Sequence, residues 1–167
     1  MMGLWISLAL LLVYAFTRNT IHEEEDFKKM LNIDCICAIP QIIFKKRSKK
    51  NQRNDISIYN KKISQTFLEA VRVLRARIEK DARKNGLQVF LVTSAAPGEG
   101  KSTIAANIAM ALAMRESKVV LVDCDLRKSR THRYLKIEKD NGVTNVLCGF
   151  STIEEAVKKG IRENLDM

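Results

Sequence analysis

The sequence predicts an α/β fold: the βαβ core of a parallel sheet, incomplete, preceded by an N-terminal transmembrane helix. Three observations predict it. Gln88-Val89-Phe90-Leu91-Val92-Thr93 and Lys118-Val119-Val120-Leu121-Val122-Asp123 are nearly continuous apolar runs, suited to strands buried on both faces of a parallel sheet. An alanine-rich helical stretch from Ser102 to Arg115 lies between them, and a crossover of that kind is right-handed. The run from Met1 to Phe16 is apolar apart from Ser7.

That first run is short for a membrane span, which needs roughly 20 apolar residues. It lacks the basic start and small-residue cleavage site of a signal peptide. It is read as the later part of a transmembrane helix covering residues 1–17. Trp5 and Tyr14 suit the interfaces, and Arg18 follows on the cytoplasmic side. Thr20 and Glu23 form a capping-box pattern that opens a helix through about Leu31, with Glu23, Glu24, Glu25 and Asp26 favouring its dipole. Asp34 to Ile39 reads as a short strand ended by Pro40.

The 167 residues carry a net charge of +10, and its distribution narrows the partner class. Lys45, Lys46, Arg47, Lys49, Lys50 and Arg53 form one basic run with no aromatic side chain among them. Without stacking groups the run argues against nucleic acid. It fits a solvated linker, with contact to anionic headgroups as a secondary property. Residues 18–58 are therefore a juxtamembrane segment and linker. The cysteines at 35, 37, 124 and 148 have no zinc spacing and read as reduced thiols of a cytosolic domain.

From Asn60 to Lys84 the pattern is helical, with Phe67, Val71, Leu74 and Ile78 on one stripe and Asn85-Gly86 as the stop. Glu69, Arg72 and Arg75 fall on a neighbouring stripe. Spacing alone makes them an ordinary charged face. After the second apolar run, Asn145 to Leu147 suggests a short helical turn. Ser151 with Glu154 is read as the cap of a last helix through about Lys159.

The chemistry lies at the ends of the two apolar runs. Ala95-Ala96-Pro97-Gly98-Glu99-Gly100-Lys101-Ser102-Thr103 is a P-loop with Ala95 at the usual first glycine. Gly98 and Gly100 let backbone N–H groups curl around phosphate oxygens, with Glu99 between them in the same loop. Lys101 places a cation at the β/γ-phosphates, Ser102 offers a hard oxygen to Mg²⁺, and Thr103 reaches the α-phosphate. Asp123 and Asp125 leave the second run at the carboxyl end of a strand, where open parallel sheets bind ligands. Carboxylates there hold Mg²⁺ or its waters, or accept a proton; the structural alternative is a helix cap or a turn aspartate.

Val119 to Arg127, Ser94 to Thr103, Glu69-x-x-Arg72-x-x-Arg75 and Thr144-Asn145-Val146-Leu147 before Gly149 together resemble the bacterial tyrosine kinases fused to polysaccharide co-polymerases. The resemblance makes 59–167 the N-terminal part of a P-loop tyrosine-kinase domain. It implies ATP and Mg²⁺ as cofactors, with Lys101, Asp123 and Asp125 catalytic and Asp123 a candidate base. It implies a ring-type homo-oligomer through Glu69, Arg72 and Arg75. It also implies a place at the cell membrane, with the kinase part cytoplasmic and polysaccharide export machinery as partner. The family's Walker B strand and tyrosine cluster are not found, so the chain is expected to be a fragment that is inactive alone. Two other readings stay open. One is a chain-length regulator with a vestigial nucleotide site; the other is a partitioning-type ATPase, which usually carries an extra lysine early in the P-loop.

Overall fold

The computed structural model describes residues 2–17, 28, 32–41, 57–60 and 63–167. They divide into two units, Met1–Ala38 and Ile39–Met167. In the first, helix α1 runs Met2–Thr17, and Trp5, Ile6, Leu10, Leu11, Val13 and Tyr14 are all exposed on it. Its length is about 24 Å at 1.5 Å per residue. Among the described residues no helix is long and apolar enough to cross a membrane. The Thr20 capping box and the basic run from Lys45 lie outside the described residues. Asp34 to Ile39 forms no strand. No ladder lies beside it among the described residues, and a strand is completed only by a partner for its amides and carbonyls.

In the second unit, helix α2 spans Gln65–Asn85. The expected start at Asn60 moves to Ser64, whose side chain accepts from the Phe67 amide at 3.3 Å and so caps the first turn. Gly86 ends the helix at φ 65°, in the left-handed region that a glycine enters without strain. Phe67 and Val71 of the expected stripe are buried, and Leu74 and Ile78 are half-buried. Helix α3, Lys101–Ala113, is the centre of the unit. One side of it, with Ala106, Ala109, Met110 and Ala113, packs on Leu135 and Leu165. Ala111 packs on Ile63, Phe67 and Val71. The alanines at 106, 109, 111 and 113 let neighbours approach the helix closely from two sides.

Strand β1, Val119–Val120, pairs in parallel with β2, Leu165–Asp166, in the register Val119 to Leu165. The amides of Val119 and Leu121 donate to the carbonyls of Asn164 and Asp166, both at 2.9 Å. The expectation of a parallel pair holds for the second apolar run, but its partner is β2, which periodicity did not single out. The first run, Gln88–Thr93, enters no ladder among the described residues. Val89 and Leu91 on it are 89% and 85% exposed. The βαβ unit is thus present as helix, second strand and an unladdered first run.

Three short helices complete the unit: α4, Thr131–Leu135, α5, Val143–Leu147, and α6, Ile153–Ala156. The last is capped by Thr152 with Glu155, one position after the expected Ser151 and Glu154. Its side chain and amide pair reciprocally with those of Glu155, and the helix ends at Ala156 rather than near Lys159.

Candidate nucleotide site

The P-loop bridges the unladdered run and α3. Gly98 and Gly100 take φ of 90° and 95°, conformations that a side-chain-bearing residue adopts only with strain. Nothing lies within 4 Å of a Cβ built on either, so it is backbone angle, not space, that requires glycine here. Gly100 caps α3 without a side chain, which leaves the helix's first amides at the loop. The Glu99 carboxylate accepts from the Ala96 amide at 3.0 Å, so an anionic oxygen already sits on one loop N–H.

The second half of the site comes from the segment after β1. Lys101 Nζ lies 2.9 Å from Asp125 Oδ2, an ion pair spanning 24 residues of sequence. Asp125 Oδ1 accepts from the Lys128 amide at 3.0 Å. The Lys101 contact, then the Lys128 amide, hold the Asp125 carboxyl below its ordinary pKa. Asp123 is differently engaged. One oxygen accepts from the Asp125 amide at 3.1 Å; the other accepts from Ser129 Oγ at 2.9 Å and from the Thr131 amide at 3.2 Å. Burial works to raise its pKa, but the donors from Thr131, Asp125 and Ser129 together outweigh burial and depress it. Asp123 thereby does the capping work of α4, whose own N-cap, Arg130, offers no side-chain acceptor.

Lys101 and Asp125 are therefore in contact, and Asp123 is joined to them through the Asp125 amide. Ser102 and Thr103 follow Lys101 on the first turn of α3. Glu69, Arg72 and Arg75 stand apart on α2. Glu69 and Arg72 form an exposed ion pair, and Arg75 pairs with Glu79 at 3.3 Å. None of the three is joined to the P-loop by a hydrogen bond or ion pair among the described residues.

Sequence reasoning missed four residues that support the site. Ser129 and Thr131 hold Asp123. Tyr134 meets Thr103 hydroxyl to hydroxyl at 2.9 Å. Asn107, fully buried, accepts from the Ile58 amide and donates to the Thr103 carbonyl, both at 2.8 Å. Ser129, Thr131 and Tyr134 sit downstream of Asp123 with no periodic signal; a polar Asn107 inside an alanine-rich helix was the one visible anomaly. A cavity of about 580 Å³ borders Asp123 and Asp125, walled by Val120, Val122, Leu126 and Leu147, and no P-loop residue lines it. His132 also faces it. Burial, then Arg133 and Lys139, push the His132 imidazole below its ordinary pKa against the pull of Asp123.

The CobQ/CobB/MinD/ParA nucleotide binding domain matches residues 90–166. The tyrosine-protein kinase YwqD of Bacillus subtilis is 38% identical over 123 residues, 74% of this chain and 51% of that protein. The putative tyrosine-protein kinase EpsB of Ralstonia nicotianae is 28% identical over 92% of this chain and 22% of its own length. The kinase domain of the Escherichia coli tyrosine kinase Etk superposes with a TM-score of 0.72 over 86% of this chain and 57% of that one, at 20% identity, a likeness of fold. The chain spans about half the length of YwqD and less than a quarter of EpsB. The P-loop, the carboxylates after β1 and these matches agree: the chain is similar to the bacterial tyrosine-protein kinases over the matched residues and shares the nucleotide-binding fold.

Proposed function

We propose that this chain carries the phosphate-binding part of an ATP- and Mg²⁺-dependent protein-tyrosine kinase of capsular or exopolysaccharide biosynthesis and export. The observation that carries the reading is the 2.9 Å contact of Lys101 with Asp125. It puts the P-loop cation and a carboxylate from the segment after β1 at one point, where a triphosphate needs both a cation and a metal-binding oxygen.

Each residue then has a task. Gly98, Glu99 and Gly100 shape the loop whose amides take phosphate oxygens. Lys101 leaves Asp125 to meet the β/γ-phosphates. Thr103 meets the α-phosphate. Ser102, Asp123 and Asp125 are hard oxygen donors of the kind Mg²⁺ takes beside phosphate oxygens and water, so the donor set fits the ion. When bound, it neutralises charge between the β- and γ-phosphates. Asp123 as proton acceptor must first exchange the donors of Ser129 and Thr131, and its depressed pKa makes it a weak base.

That engagement supports a second reading: nucleotide binding without transfer, in a regulator of polysaccharide chain length. One experiment separates the two. A fluorescent ATP analogue with Mg²⁺ is titrated onto the chain, and incorporation of labelled γ-phosphate into tyrosine is followed. The kinase reading expects binding lost at least tenfold in Lys101→Ala, and label transferred in trans once the chain is joined to, or mixed with, the segments its relatives carry beyond it. Binding with no transfer under those conditions selects the regulator. Undiminished binding by Lys101→Ala removes both.

The exposed apolar side chains of α1 suit a segment within a membrane span, with the kinase part cytoplasmic. Glu69, Arg72 and Arg75 suit a self-association surface, because a guanidinium pairs bidentately with a neighbour's carboxylate.

A further inference from the structure

We propose that Tyr134 is a positioning residue for the nucleotide, holding the Thr103 hydroxyl in place for an α-phosphate oxygen. The inference rests on the nucleotide-site reading above. Its support is the contact of Thr103 Oγ1 with Tyr134 Oη at 2.9 Å, made across 31 residues and half-buried.

Helix α4 is clamped twice. At its start the Thr131 amide and the preceding Ser129 hydroxyl donate to Asp123. Near its end Tyr134 packs against the core made by Ala106, Ala109, Met110 and Leu135, which fixes the ring, and its hydroxyl meets Thr103. Helix α4 therefore ties the segment carrying the carboxylates to the first turn of the P-loop helix. The Thr103 backbone is held too, by the Asn107 amide at 2.8 Å.

Both hydroxyls can donate and accept, so the pair has two proton arrangements. Without ligand, Thr103 can donate to Tyr134. With a phosphate oxygen present, Tyr134 donates to Thr103 and Thr103 donates to the phosphate. The two bonds then run head to tail, and each polarises the other. A threonine whose rotamer is already set binds without losing that freedom. The contact is made to the α-phosphate, away from the transferred group, so it acts on nucleotide affinity and not on the transfer step.

The test is nucleotide affinity in Tyr134→Phe, which keeps the ring and removes the hydroxyl. Loss of one neutral hydrogen bond predicts ADP binding weaker by about fivefold. It also predicts a smaller penalty for replacing the α-phosphate oxygen with sulfur than the original chain shows. Thr103→Val should weaken ADP binding similarly, and the double variant should add less than the product of the two. Unchanged ADP affinity in Tyr134→Phe overturns the proposal, as does an undiminished α-thio penalty. A lower melting temperature with unchanged affinity assigns the hydroxyl to stability and overturns it too. If the original chain binds no nucleotide, or Lys101→Ala binds as tightly, it is the underlying site that fails.

Discussion

Two apolar runs of similar composition meet different fates in this chain. Val119 to Leu121 gains ladder hydrogen bonds with β2, and Val119 and Leu121 pack on the core around α3. Val89 to Val92, directly before the P-loop, joins no ladder among the described residues, and its Val89 and Leu91 face outward. Hydrophobicity and β-branching qualify both as strands. What separates them is a partner whose amides and carbonyls complete the ladder. The P-loop is thus held firmly from its helix side and loosely from its strand side.

The sharpest test of that contrast is a pair of truncations. Leu165→Ala, at a fully buried position, should cost about 3 kcal/mol of unfolding free energy in urea, while Leu91→Ala should stay within about 0.5 kcal/mol. Equal losses would break the comparison. Next in size, Asn107→Ala should cost about 2 kcal/mol, because it strips a partner from the Ile58 amide and from the Thr103 carbonyl.

A smaller effect should follow pH. The Asp123 carboxyl is depressed in the folded chain. Its contribution is therefore complete above the ordinary value of 3.8 and is lost as pH falls through the lower folded value. Asp123→Asn should flatten the acid limb of stability measured by circular dichroism, leaving the dependence near neutrality unchanged. Smallest of all, Glu69→Ala should change the stability of the dilute chain by less than about 0.5 kcal/mol, since both partners are exposed. Under the assembly proposal, the same variant should lower the sedimentation coefficient at high concentration.

The parts legible in the sequence were those fixed by local chemistry. The Gly86 stop, the left-handed glycines of the P-loop and the stripe on α2 each follow from residues within one or two turns. The Lys101–Asp125 meeting was also foreseeable, because both apolar runs were expected to end at one crevice, although only the second of them forms a ladder among the described residues. The parts missed depend on tertiary choice. Leu165-Asp166 is too short for periodicity to find, and only its pairing makes it a strand. The cap at Thr152 instead of Ser151 turned on which of two adjacent hydroxyls met a glutamate three residues on. Tyr134 became part of the site through a helix of only five residues.

The Asn107 bridge has a kinetic consequence. Ile58 sits in a turn, yet its amide hydrogen is given to a side chain buried in the middle of α3. That hydrogen is released when Ile58 and Asn107 part, so its deuterium uptake should report how long the turn stays docked on α3. A single loop proton then becomes a clock for the contact between that turn and the helix that carries the P-loop. Slowing of that clock on addition of nucleotide would register, from outside the site, how strongly a bound phosphate steadies that contact.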